Sequence, residues 1–371
     1  MKGAVGFGVF SVNGNVPRVG FRANEGILDL AEAGLGTVFE AATLNPFLAL
    51  GRSSWEDTLA RVDELVSAGA DVVSLDAATT HLPFELGDYV DFYSSLEHAT
   101  NLGRLFRPDS DPLLPNWRHL PVGYHGRAGT VVVSGTPVVR PSGQTKGPAD
   151  DAPRYGPSRR LDIELELGFV VGVGSTLGEP VSTAAFRDHV FGVLLVNDWS
   201  ARDIQAWEYQ PLGPFLGKSF ATSIAAWVTP LALLEDRFVH APEQAPEPLP
   251  YLRTVGDWGI DVELEVELSS SVVSRTNARG LYWTMPQQLA HATANGASIR
   301  TGDLFASGTI SGVEPGSEGS LIELTWNGDR PVRLDDGSER TFLEDGDEVV
   351  LRGHAGELEL GEVRGTILPA R

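Results

Sequence analysis

The chain has 371 residues, 42% of them hydrophobic and 21% charged, the balance of a globular protein long enough for two domains and an enclosed cavity. Its 50 acidic against 28 basic residues leave a net charge of -22, which argues against nucleic acid or an anionic membrane as partner but leaves small anions open, given a local basic pocket. The absence of cysteine excludes disulfides, thiolate metal sites and a cysteine nucleophile.

In chain order, the opening MKGAVGFGVFSVNG is apolar enough to suggest a signal peptide. Glycines break the run, however, and no small-residue cleavage site follows. No stretch of about eighteen apolar residues occurs anywhere, so no membrane span is expected and the cytoplasm is the expected location. Residues 1–83 read as a small β-rich unit: AVGFGVF, then PRVGFRANEGILDLA as a hairpin turning at Asn24 to Gly26, then a helix in WEDTLARVDELVSAGAD. Leu59, Val62, Leu65 and Val66 share one face of that helix, and Gly69 lies near its stop. TTHLPFELGDYVDFYSS is the linker into a second unit, residues 84–371. There the turns recur so often, with 42 glycines and 24 prolines in the chain, that the expected class is mainly β with some α. Helices are expected at 95–107, 182–190 and 286–295, and strands at 130–133, 161–171, 190–197, 260–268, 321–326 and 348–352. APEQAPEPLP is a surface connector.

One strand poses a chemical question. LDIELELGFVVGVG (161–174) alternates Ile163, Leu165 and Leu167 with Asp162, Glu164 and Glu166, then turns apolar on both faces, as a strand does on entering a core. Neighbouring carboxylates carried inward are costly unless a positive charge meets them. GIDVELEVELS (259–269) has the same alternation but ends in polar SSSVVSRTN, and reads as an exposed edge. A hard divalent cation, Mg²⁺ or Ca²⁺, takes oxygen ligands from several segments. Asp198, at the end of VFGVLLVND, and Asp91, before SSLEHATN, are the candidates to join Glu164 and Glu166, although either aspartate taken alone reads more readily as a helix N-cap. His98 lies about two helical turns beyond Asp91 and suits a general base near neutral pH. In NDWSARDIQAWEYQPLGPFLGKSFATS (197–223), Trp199, Trp207 and Tyr209 alternate with Arg202, Gln205 and Lys218, the composition of a lined pocket. SGTISG (307–312) offers hydroxyls and glycines suited to an anion.

Five strings in register, DFYSSLEHATNLGRLFR, LPVGYHGR, DIELELGFVVG, NDWSARDIQAWEYQPLGPFLGKSF and GDLFASGTISG, together resemble the fumarylacetoacetase family. The likeness runs from PRVGFR to FLEDGDEV. It implies a small SH3-like N-terminal barrel (1–83) and a larger mixed β-sandwich or roll catalytic domain (84–371) that forms a homodimer. It also implies hydrolysis of the carbon–carbon bond of fumarylacetoacetate to fumarate and acetoacetate, the last step of tyrosine and phenylalanine breakdown. By the same resemblance Asp91, Glu164, Glu166 and Asp198 hold Mg²⁺ or Ca²⁺, with Asp162 an exposed or hydrogen-bonded neighbour, and a second, structural Mg²⁺ lies near Lys218 and Thr222. His98, oriented by Glu323, is the implied base; Arg202, Gln205 and Lys218 stabilise the oxyanion; Tyr93, Arg107, Tyr124, Tyr209 and Thr309 hold the diketo-acid substrate.

Two features depart from the family's usual pattern. Leu96 and Glu97 stand where animal members carry Arg-Gln, and the tail after GDEVVLRGHAG is short. Acylpyruvate and other diketo-acid hydrolases, decarboxylases and isomerases of the same superfamily are the alternative, although they usually lack the N-terminal unit and the WEYQPLGPFLGKSF insert.

Overall fold

The computed structural model describes residues 4–23 and 26–371. The protein is mainly β with some helix, built on a thirteen-stranded sheet and a five-stranded one. In the large sheet the strands run Ala4–Val12, Trp227–Pro230, Val190–Asn197, Leu165–Val171, Leu304–Ala306, Tyr89–Phe92 and Gly123–His125. Most pairs are antiparallel, but Leu304–Ala306 and Tyr89–Phe92 run parallel, which sets Ala306 beside Asp91. The smaller sheet centres on Glu263–Leu268, Glu348–Ala355 and Leu358–Leu368, and packs across the large sheet near Val190–Asn197. Among the described residues no helix is long and apolar enough to cross a membrane.

The expected separate N-terminal barrel is corrected: among the described residues no sheet closes into one. Instead Ala4–Val12 pairs outward with Arg18–Ala23 and inward with Trp227–Pro230, Phe7 facing Val228. Glycine makes the seam, since a Cβ on Gly6, at φ +149°, would lie 2.1 Å from the Val228 carbonyl oxygen. The core crosses it too, with Phe7, Phe47 and Trp55 packing edge-on around Phe191. Two residues of the expected turn at Asn24 to Gly26 lie outside the described residues.

The helix expected from WEDTLARVDELVSAGAD is Arg52–Ser67, which buries Trp55, Leu59 and Val62. Those expected at 95–107 and 286–295 are Leu96–Phe106 and Met285–Thr293. The one expected at 182–190 is a 3₁₀ turn, Thr183–Ala185, running into Phe186–His189.

Two strand readings need correction. Residues 321–326 do not form a strand: Leu321–Leu324 is a helical turn whose first N–H groups, Leu321 and Ile322, donate to the buried Asp162 carboxylate at 2.7 and 3.1 Å. A side chain from another segment thus satisfies the donors that every helix start leaves open, and the sequence pattern of 321–326 cannot reveal it. Glu263–Leu268 is not an edge either, since it lies between Ser271–Asn277 and Glu348–Ala355. Two of its acids are met by cations, Glu265 by Arg275 and Glu267 by Arg352.

Candidate active site

Three strands of the large sheet deliver four acids to one point. Asp91 rides on Tyr89–Phe92, Glu166 on Leu165–Val171, Glu164 just ahead of it, and Asp198 follows Val190–Asn197. One carboxylate oxygen from each lies within 4.8 Å of the others, and all four residues are buried. Glu164 is fixed from its backbone, its N–H bonded to Asn197 Oδ1 at 3.1 Å and its carbonyl accepting from Asp198 N at 3.3 Å.

The cations that reach this group favour one side. Lys218 Nζ donates to Glu164 Oε2 and, at 2.8 Å, to Asp198 Oδ2. Arg202 spans Asp162 Oδ2 and Glu164 Oε1, both at 2.7 Å. Burial works against ionising Glu164, but Lys218 and Arg202 outweigh it and pull the carboxyl down to about 2. Asp91 and Glu166 go the other way: burial first, then the neighbouring carboxylates, raise both well above the ordinary range. Asp91 Oδ1 and Glu166 Oε1 are buried without a hydrogen-bond partner. Four buried carboxylates, two with an oxygen left over, are the donor set a hard divalent cation requires, so the residues fit such an ion.

These shifts have a consequence for stability. A carboxyl whose pKa is higher folded than unfolded holds more protons in the native state, so the metal-free protein should lose stability as pH rises from the ordinary carboxylate range toward neutrality. Added Mg²⁺ should abolish that fall. Melting curves in EDTA and in Mg²⁺ between about pH 5 and 8 provide the check; a metal-free melting temperature that is flat or rising would contradict it.

Beside the acids, the helix Leu96–Phe106 begins at Ser95, whose hydroxyl accepts the His98 N–H at 3.2 Å. His98 Nδ1 lies 2.6 Å from Glu323 Oε2, both residues buried. Ser311, Ser320 and Asn101 also donate to Glu323, at 3.0, 2.6 and 3.0 Å. Against its burial, His98 and these partners hold the Glu323 carboxyl below its usual value. With Nδ1 engaged, Nε2 is the ring nitrogen left to exchange a proton.

A cavity of about 560 Å³ joins the two groups, lined by Asp91, Glu164 and His98. Arg202, Gln205 and Lys218 form part of its wall; Tyr93, Arg107, Tyr124, Tyr209 and Thr309 form another. Glu323 stands behind His98, and Thr222 behind Asp198, to which its hydroxyl donates at 2.7 Å. Tyr124 Oη donates to Asp198 Oδ2 at 3.0 Å, and Arg107 is tethered to the Pro112 carbonyl at 2.8 Å. Burial above all keeps the phenols of Tyr93 and Tyr124 well above their ordinary range, so both remain donors.

The aromatic stretch is divided more finely than its composition suggests. Only Tyr209 of its three named aromatics lines the cavity; Trp199 is buried with its Nε1 on Ser223 Oγ, and Trp207 lies on the surface under Lys146. Within SGTISG, Gly308 N donates to Glu166 Oε2 at 3.0 Å and Thr309 faces the cavity. Asn101, Ser311 and Ser320 escaped sequence reasoning, because nothing local marks them as partners of Glu323. Tyr89 escaped it as well, although its spacing from Asp91 on one strand, Tyr-x-Asp, puts both on the same face. Burial, then the four carboxylates, raise its phenol well above the ordinary range.

Residues 89–368 match the family described as fumarylacetoacetate (FAA) hydrolase C-terminal, and residues 5–83 the one described as fumarylacetoacetase N-terminal. Fumarylacetoacetase of Rattus norvegicus is 46% identical over 98% of this chain and 95% of its own length. That of Homo sapiens is 45% identical over the same shares. Among solved structures, fumarylacetoacetate hydrolase from Exiguobacterium antarcticum aligns with a TM-score of 0.58 at 15% identity, covering 99% of each chain. Maleylpyruvate hydrolase from Sphingobium sp. SYK-6 gives 0.57 at 14%, covering 99% of this chain and all of its own. These distant structures speak for the fold, whereas the close relatives and matched families span nearly every residue from one end to the other: the chain belongs to the fumarylacetoacetate hydrolase family.

Proposed function

We propose that this protein hydrolyses the carbon–carbon bond of fumarylacetoacetate, releasing fumarate and acetoacetate, as a hydrolase acting on carbon–carbon bonds in ketonic substances. The observation that carries this reading is a set of unpaired polar atoms. Among the described residues Arg107 Nε, Arg202 Nη2 and Thr309 Oγ1 are all buried without a partner, and all three residues line the cavity that also holds His98 and, of the acidic cluster, Asp91 and Glu164. Unpaired buried donors are unfavourable, and a doubly anionic diketone would occupy them. The curated relatives carry the fumarylacetoacetase name over nearly the whole chain.

Carbon leaves only if its electron pair can delocalise into a neighbouring carbonyl. A divalent ion held by Asp91, Glu164, Glu166 and Asp198 would supply Lewis-acid polarisation of the 1,3-dicarbonyl oxygens. The chain's own residues do the rest. His98 Nε2 takes a proton from water as its oxygen attacks the carbonyl, and Glu323 holds the imidazolium that forms. Charge then builds on the tetrahedral oxygen, where Arg202 Nη2 and the third Lys218 proton are free to donate. Gln205 Oε1 accepts from Arg202 Nη1 at 3.4 Å, which leaves its amide N–H₂ as a donor. The oxyanion collapses to a carboxylic acid as the carbon–carbon bond breaks, the enolate carbon takes the proton carried by His98, and the new acid releases its remaining proton to solvent as it becomes a carboxylate. Arg107, Tyr93, Tyr124, Tyr209 and Thr309 anchor the substrate.

In the same reading the cation is Mg²⁺ or Ca²⁺. A second, structural Mg²⁺ would be held near Lys218 and Thr222, where the Lys218 ammonium is already committed to Glu164 and Asp198. The protein works in the cytoplasm as a homodimer, a state supported by exposed Phe215 and Leu216 on one loop. Its functional units divide between residues 83 and 84, a reading supported by matched regions that end at residue 83 and begin again at residue 89.

Metal-replete protein should consume fumarylacetoacetate, followed by loss of the diketone absorbance, faster than acylpyruvates or other diketo acids. Glu164→Gln, after dialysis, should bind less than one divalent ion per chain by elemental analysis. Preference for another diketo acid would favour the superfamily alternative, and undiminished metal in the variant would refute the carboxylate site.

A further inference from the structure

A second cavity, of about 320 Å³, also reaches the acidic cluster. Tyr124 and Lys218 line both cavities, and both bond to the same Asp198 oxygen, so they form the partition between them. On the smaller side the wall includes Asp198 and Tyr89. Tyr89 is 1% exposed, and its hydroxyl has no hydrogen-bond partner.

The ring that aims this hydroxyl is tightly held. Its carbonyl accepts from Gly126 N at 2.9 Å, and a Cβ on Gly126 would lie 2.3 Å from the ring, so the chain comes against the phenol where only glycine fits. Tyr89 and Asp91 project from the same face of one strand, and Asp91 also carries an unpartnered buried oxygen, Oδ1. Two orphaned polar groups, a phenol able to donate and a carboxylate able to accept, therefore share one face without bonding to each other. Asp91 Oδ1 is open to a cation, and a water admitted from the small cavity can bond the phenol and reach Asp198, which lines that cavity with it.

Resting on the reading of the acidic cluster as a cation site, we propose that Tyr89 is a positioning residue for the ion: through water in the smaller cavity, its hydroxyl orients the carboxylates and aqua ligands around the cation. Groups that orient ligands in this way are typically worth 10–100-fold in metal affinity. Tyr124 and Thr222, by contrast, already bond directly to Asp198.

The test is a Mn²⁺ titration of the full chain, followed by electron paramagnetic resonance, for wild type, Tyr89→Phe and Glu166→Gln. Tyr89→Phe removes one unpaired atom and no packing volume, so its metal-free melting temperature should be unchanged or slightly higher. Its Mn²⁺ dissociation constant should rise about 10–100-fold. Affinity equal to wild type would overturn the proposal while leaving the metal reading intact. So would weaker binding accompanied by a lower metal-free melting temperature, which marks a packing role. Failure of the wild type itself to bind Mn²⁺, or equal binding by wild type and Glu166→Gln, would instead overturn the metal reading, and this proposal with it.

Discussion

His98→Ala should lower kcat for fumarylacetoacetate cleavage by roughly 10²–10⁴-fold, the usual worth of a positioned general base, and leave fold and bound metal in place. The fold should survive because Glu323, which loses its imidazole partner, keeps Asn101, Ser311 and Ser320 as donors. The metal should survive because His98 bonds to Glu323 and to none of the four clustered carboxylates. Glu323→Gln should fall in the same direction, since an amide neither fixes the imidazole tautomer nor stabilises its cation. Turnover by His98→Ala at the wild-type rate, with near-ultraviolet circular dichroism and metal content unchanged, would remove the base from the mechanism.

Arg202→Met should be damaging twice over. Its guanidinium offers the unpaired Nη2 donor in the cavity wall, and losing one preorganised donor to an oxyanion costs about 10²–10³-fold in kcat. Among the described residues it is also the only ion-pair partner of Asp162, whose carboxyl burial already lifts above its ordinary range despite the arginine. Breaking a buried pair by removing one member typically costs about 3–5 kcal/mol, so denaturant unfolding should show a loss of that order. Arg202→Lys should recover part of the stability and little of the rate, because a point charge cannot span Asp162 and Glu164 together. Full activity in the Met variant would exclude Arg202 from the chemistry, and unchanged stability would exclude the pair as a structural element.

The acidic strand was legible because its alternation ran into an apolar stretch with nowhere for charge to go, and Glu164 and Glu166 do turn inward. Val190–Asn197 was legible to the residue, a continuous apolar run with an aspartate at its end. Features requiring distant segments to meet were not. The turn holding Glu323 was expected as a strand, and the Asp162 carboxylate that meets the N–H groups of Leu321 and Ile322 at its start comes from a segment some 160 residues away. The joining of the N-terminal strands to the large sheet depends on Gly6 lying against Val228, a pairing across more than half the chain. Glu265 and Glu267 looked solvated because their arginines arrive from other strands. Short-range pattern therefore located the charges, while long-range contacts decided what each charge does.

Asp162 gives the site an unexpected dependence. One carboxylate grips Arg202, on the donor wall, and starts the turn that presents Glu323 to His98. Donor and base are thus mechanically registered to each other, and a change meant for one will be felt by the other as a non-additive term in a double-mutant cycle. Leu113 and Leu212 line the same cavity with no hydrogen-bonding side chain to disturb. Redesign toward bulkier diketones should therefore begin at those apolar walls, where shape can be altered without detuning the chemistry.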